Sequence, residues 1–192
     1  MGKGSSAPGK GALLLLGLLL AVCACAGLGQ GQKSVATGQR TPGATPVSLT
    51  ALHWCGSPLI AFEDKQQSPP RIVRDWAAVA PALGLTVYLP KSLPAGSCLV
   101  SVDGSIHDAE LGDHFSIDYL LPNQSPLSFL ESPLTGASLP FQCQATEQPG
   151  ASLICTGSLG QTRVLIAAKE TQAQLHALFN AMAAGVAWQP TS

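Results

Sequence analysis

Five of the eight residues from His107 to His114 are histidine or an acid, the densest run of chemistry-bearing side chains in this sequence. If the chain reverses at Gly112-Asp113, His107 and His114 approach each other across a hairpin. A carboxylate from Asp108, Glu110 or Asp113 could then complete a metal site or orient an imidazole. The plainer expectation for the same residues is a charged, solvated hairpin tip. His53 and His176 stand alone, the latter beside Leu175 on the flank of the last predicted helix. Glu63 and Asp64 are adjacent carboxylates, which a strand would send to opposite faces.

Other catalytic signatures are missing. There is no G-x-S-x-G elbow, H-E-x-x-H pair, P-loop or dinucleotide fingerprint. The Gly-Ser pairs at 56–57, 104–105 and 157–158 read as turns. A Ser-His-Asp triad needs no closeness in sequence and stays open. No catalytic residue and no cofactor is therefore assigned. Trp54, Trp76 and Trp188 are expected to pack in a core, whereas an exposed Trp54 near Trp188 would make a stacking platform for sugars.

Four cysteines follow residue 50: Cys55, Cys98, Cys143 and Cys155. An even number in an exported chain points to disulfides. Cys143 and Cys155 lie twelve apart in runs that read as neighbouring strands, which leaves Cys55 with Cys98. Zinc is the competing use, but no C-x-x-C pair or Cys/His cluster at ligand spacing supports it.

Export itself is written at the start of the chain. Lys3 and Lys10 precede an apolar run, Ala12 to Val22, and small residues follow. The run is shorter than the ~20 residues a membrane span needs, so residues 1–24 read as a signal peptide. Val22-Cys23-Ala24-Cys25 resembles a bacterial lipobox, with Cys25 as the acylated residue. Cys23 departs from the Ala, Ser or Thr usual at its position. Cleavage after Ala26 by ordinary signal peptidase is the alternative. Residues 25–48, rich in Gly, Gln, Thr, Pro and Ser, are expected to form a disordered tether. The location is then the cell envelope, anchored through lipid, or else secreted.

Residues 49–192 suffice for one domain. Without Lys3 and Lys10 the chain carries eight basic against eleven acidic residues, a net charge of −3. No basic patch is available for nucleic acid, nor a polybasic stretch beside the anchor for anionic lipid.

The elements that would position these groups are mostly strands. His53 to Glu63, Leu83 to Leu89, Cys98 to Val102, Ser105 to Leu111, His114 to Leu120, Leu127 to Leu130, Phe141 to Ala145, Ser152 to Thr156 and Arg163 to Ala168 all read as extended. Asp103-Gly104 reads as a hairpin turn. Ile72, Trp76 and Val79 form one helical stripe ended by Pro81. Thr171 and Gln174 form a capping box before a second stripe of Leu175, Leu178, Phe179 and Met182, with Gly185 as the stop. The expected fold class is α+β: a curved antiparallel sheet with two helices packed on one side.

Val87-Tyr88-Leu89-Pro90 and Leu93-Pro94-Ala95-Gly96, followed by a strand, resemble a domain of unknown function found in secreted lipoproteins and in extracytoplasmic parts of sigma-factor regulators. The ending, strand Arg163 to Ala168 into a final helix, is similar as well. The resemblance covers about 100 residues and implies a curved sheet with a helix, as in lipoprotein-carrier folds. It transfers no catalytic residue. The leading expectation is a non-enzymatic lipoprotein that binds a lipid, peptide or envelope protein through the sheet. The alternatives are a hydrolase with a metal or triad site near His107 and His114, and a purely structural envelope protein.

Overall fold

The computed structural model describes residues 45–145 and 152–191, all within one unit, Arg40–Ser192. The predicted signal peptide, Cys25 and most of the tether lie outside the described residues. Among the described residues thirteen strands and two α-helices follow in order: β1 (Pro46–Ser48), β2 (His53–Trp54), β3 (Ile60–Asp64), β4 (Arg71–Val73), α1 (Trp76–Val79), β5 (Tyr88–Pro90), β6 (Ser92–Pro94), β7 (Cys98–Ile106), β8 (His114–Leu120), β9 (Pro126–Pro133), β10 (Gln142–Ala145), β11 (Leu153–Leu159), β12 (Thr162–Ala168), α2 (Gln172–Asn180) and β13 (Met182–Ala184). Single 3-10 turns occur at Leu49–Ala51 and Ala80–Ala82. β1 occupies three residues of the stretch expected to be tether.

The main sheet runs β10-β11-β12-β9-β8-β7-β3-β4, with β2 also paired to β7. Its strands exist because their side chains alternate. Phe115, Ile117 and Tyr119 of β8, Leu127, Phe129 and Glu131 of β9, and Thr162, Val164, Ile166 and Ala168 of β12 are all buried on one face. Leu49, Leu89, Leu93, Leu175, Phe179 and Trp188 close the same core from outside the sheet.

The fold class differs from the α+β expectation. Strand takes 45% of the described structure and helix 13%. The sheet is mixed and open, because β7 receives β2 and β3 in parallel. The two predicted helices shrink to four and nine residues. Ile72 belongs to β4, which pairs with β3, so the apparent stripe of Ile72, Trp76 and Val79 joins a strand to a helix. Asp75 caps that helix by accepting the Ala77 N–H at 3.0 Å, and Pro81 lies in the 3-10 turn that follows. In α2 the predicted capping box forms, with the Thr171 hydroxyl accepting from Gln174 N–H and the Gln174 side chain accepting from Thr171 N–H. The helix ends at Asn180, short of Gly185, because Met182–Ala184 pairs with Tyr88–Pro90.

Asp103-Gly104 is no turn either: β7 runs straight through it. Gly104, at φ +152°, lies under the ring of Phe62 and against the carbonyl of His114, which a Cβ there would approach to 2.0 Å. Glycine serves close packing here. Gly157 of β11 does the same beneath Phe179, whose ring would stand 2.8 Å from a Cβ. The Gly-Ser pairs at 104–105 and 157–158 are therefore mid-strand.

Candidate functional site

The true reversal between β7 and β8 is His107–Asp113, and its two aspartates serve the backbone. Asp108 Oδ1 accepts N–H bonds from Glu110 and Leu111 at 3.0 and 2.9 Å, an Asx-type turn. The bond from Leu111 is the main reason its carboxyl stays below the usual range. Asp113 Oδ1 accepts from Asp108 N–H at 3.0 Å. The two histidines are engaged apart. His107, at φ +57°, places Nδ1 3.0 Å from Asp64 Oδ1 of β3, and Arg71 reaches the other carboxyl oxygen at 3.5 Å. His107 is the first cause that holds Asp64 below its ordinary pKa, followed by the Gln66 N–H. His114 Nδ1 instead shares a 2.8 Å hydrogen bond with Ser105 Oγ. Ser105 is only 1% exposed, so its hydroxyl offers no face to a substrate carbonyl. Among the described residues no group of three His, Cys, Asp or Glu side chains is placed to hold a metal. Glu63 and Asp64 diverge as a strand requires: Glu63 pairs with Lys65 in solvent, and Asp64 is buried.

The cysteines pair as their spacing suggested. Cys143 and Cys155 are directly opposite on β10 and β11, with Cα atoms 3.9 Å apart. Cys55 joins Cys98 at the start of β7, with Cα atoms 5.1 Å apart. The two bridges take up all four of these cysteines and leave none of their thiols for zinc. They fit an oxidising, extracytoplasmic compartment. Among the described residues no helix is long and apolar enough to cross a membrane.

Two of the tryptophans line a cleft. Trp188, 3% exposed, packs edge-on to Trp76 with ring centroids 5.3 Å apart, and both rings contact Phe115. Trp54 is half-buried beside Leu99 and is no exposed platform. A cleft of about 680 Å³ opens between Leu83–Val87 and Gly185–Thr191, with Trp76, Ala80 and Thr50 completing its wall. Its lining residues include Trp76, Leu83, Leu85, Val87, Val186 and Trp188. The Trp188 indole N–H has no acceptor among the described residues.

Three contacts hold the cleft in shape. β5 pairs with β13 just before the two walls diverge. Thr162 Oγ1 donates to Thr86 O at 2.7 Å, and Thr191 N–H donates to Thr50 O at 3.2 Å. Beneath Tyr88, Glu131 is fully buried, and both its oxygens accept the Tyr88 N–H, at 3.0 and 3.2 Å. Burial pushes this carboxyl up to about 8, opposed only by that N–H. Glu131 is protonated at neutral pH in consequence.

Sequence reasoning missed this cleft and Glu131. The lining comes from segments about a hundred residues apart, and Glu131 falls within an ordinary alternating strand, where an acid reads as solvent-facing. Its place in step with buried Leu127 and Phe129 is the signal that could have found it. The chain matches no protein-family model, and no curated protein aligns with it.

Proposed function

We propose that this protein is an extracytoplasmic lipoprotein, anchored through acylated Cys25, whose domain holds an apolar segment of a lipid, peptide or envelope protein in the Trp76–Trp188 cleft. The carrying observation is the cleft itself: about 680 Å³ walled by two tryptophans and aliphatic side chains, within the 300–1,000 Å³ typical of ligand sites. The fixed wall at Thr86–Tyr88 supports preorganised binding, which spares the cost of ordering a loop around the ligand. The disulfides support the compartment, and the lipobox-like Val22-Cys23-Ala24-Cys25 supports the anchor.

Two measurements test the reading. Intact mass of the membrane-purified protein should begin at Cys25 with added acyl chains, and Cys25→Ser should release it from membranes. A mass that starts at Gly27 without lipid would refute the anchor. Titration with dodecyl-chain lipids and with apolar peptides should shift the indole NMR signals of Trp76 and Trp188. Unmoved indoles at millimolar concentrations of both would refute the cleft as the binding site.

A further inference from the structure

A second cleft, of about 550 Å³, lies on the other face of the sheet. Its floor is Gln142 and Gln144 of β10, Ile154 and Thr156 of β11, and Arg163 and Leu165 of β12. These positions alternate with Cys143, Cys155, Val164 and Ile166, which face the core side, so the strand period sends them to the opposite face. The connection from β9 to β10 forms the rim with Leu134, Thr135 and Leu139. That rim is fixed: Leu134 N–H donates to Gln161 O at 2.8 Å, and Leu139 N–H to Ser158 Oγ at 2.9 Å.

The electrostatics of this cleft are one-sided. Arg163 makes no ion pair and no hydrogen bond among the described residues, and the Gln142, Gln144 and Thr156 side chains make none either. Among the described residues no carboxylate lines the cleft. Among the described residues, the acids of the neighbouring strands on the same face are Asp118 of β8, which accepts from Ser101 Oγ, and Asp103 of β7. In the sheet order β9 separates β12 from β8, and Asp118 is level with Ser128 and Ala167, four residues along from Arg163, which puts it roughly 16 Å from Arg163 at the usual strand spacing and rise.

From these features we infer that the Arg163 cleft binds a carboxylate-ended peptide with an aliphatic last residue. The guanidinium fork matches a carboxylate through two parallel N–H bonds. A single cation balances one negative charge, whereas a phosphate dianion would call for more. Leu134, Leu139, Ile154 and Leu165 supply an apolar wall for an aliphatic side chain. The two glutamine amides and the Thr156 hydroxyl supply donors and acceptors for a peptide link. This site does not depend on the Trp76–Trp188 cleft, and either can fail without the other.

The test titrates the full chain with N-acetyl-glycyl-leucine, its C-terminal amide and octanoate, by calorimetry and by amide NMR of Gln142 and Gln144. The acid should bind, the amide at least about tenfold more weakly, as expected for loss of one charge-assisted bidentate contact. Arg163→Gln should lose the same factor, and Arg163→Lys should recover part of it. Arg163 is exposed, so the variant should fold, and unchanged melting confirms that. Equal binding of acid and amide, or no effect of Arg163→Gln, would overturn the site. Octanoate bound as tightly as the peptide would overturn the peptide assignment.

Discussion

The two clefts are built in opposite ways. The Trp76–Trp188 cleft joins chain segments remote in sequence: Thr50, Trp76, Leu83–Val87 and Gly185–Thr191. Apolar packing and a few long-range hydrogen bonds hold these irregular stretches together. The Arg163 cleft sits on three successive antiparallel strands, β10 to β12, stapled by Cys143–Cys155 and backed on the core face by Phe179 of α2 against Gly157. Regular ladders carry the second cleft, and tertiary packing carries the first. Damage to the core should therefore unmake the first cleft before the second.

Trp188→Ala is the sharpest way to separate them. Removing a ring 3% exposed, in contact with Trp76 and Phe115, should cost roughly 3–5 kcal/mol. Hydrogen exchange should then rise at 83–90 and 182–190 while β11 and β12 stay protected. Equal loss of protection in both regions would show that they form one cooperative unit.

Glu131→Gln probes the same wall through pH. The carboxyl rises from an ordinary 4.5 to about 8 on folding, so the folded state favours its protonated form. That contribution to stability is complete below about 4.5 and is lost as pH climbs through 8. Between pH 5 and pH 9 the native protein should lose about 4 kcal/mol from this group. The glutamine variant should lack that slope in urea unfolding, and should be the more stable of the two at pH 9. A slope that persists in Glu131→Gln would place its origin elsewhere.

The disulfides give the next effect. Loop entropy assigns about 4 kcal/mol to Cys55–Cys98, with 43 residues of separation, and about 3 kcal/mol to Cys143–Cys155, with 12. Paired Cys→Ser variants measured by denaturant titration should rank in that order. Only the second should weaken ligand binding at Arg163. The smallest effect belongs to Thr171→Ala, which removes the α2 cap and should cost about 1 kcal/mol without altering either cleft.

Local signals were legible in the sequence where the local pattern decides the outcome. Phe115, Ile117 and Tyr119 alternate with polar residues, and β8 forms where that alternation lies. Thr171 and Gln174 make their capping box because both partners fall within one turn. The cysteine pairs follow from an even count and from two runs that read as neighbouring strands. The His107–His114 run advertised a site, but Asp108 and Asp113 spend their oxygens on backbone amides. Nothing local distinguishes an acid that caps a turn from one that binds a metal.

What the sequence alone determined is the strands whose period-two pattern is unbroken, such as β8 and β12, the cap of the last helix and the chemistry suited to an oxidising compartment, all of them properties of near neighbours or of composition. Only the tertiary structure decided that Gly104 packs rather than turns, that Ile72 leaves its apparent helix for β4, and that Met182–Ala184 leaves α2 to pair with β5. It also decided that Glu131 is buried and that Trp76 meets Trp188. Each of these depends on which distant backbone or ring occupies the adjoining space, and that is settled by burial of the whole core at once.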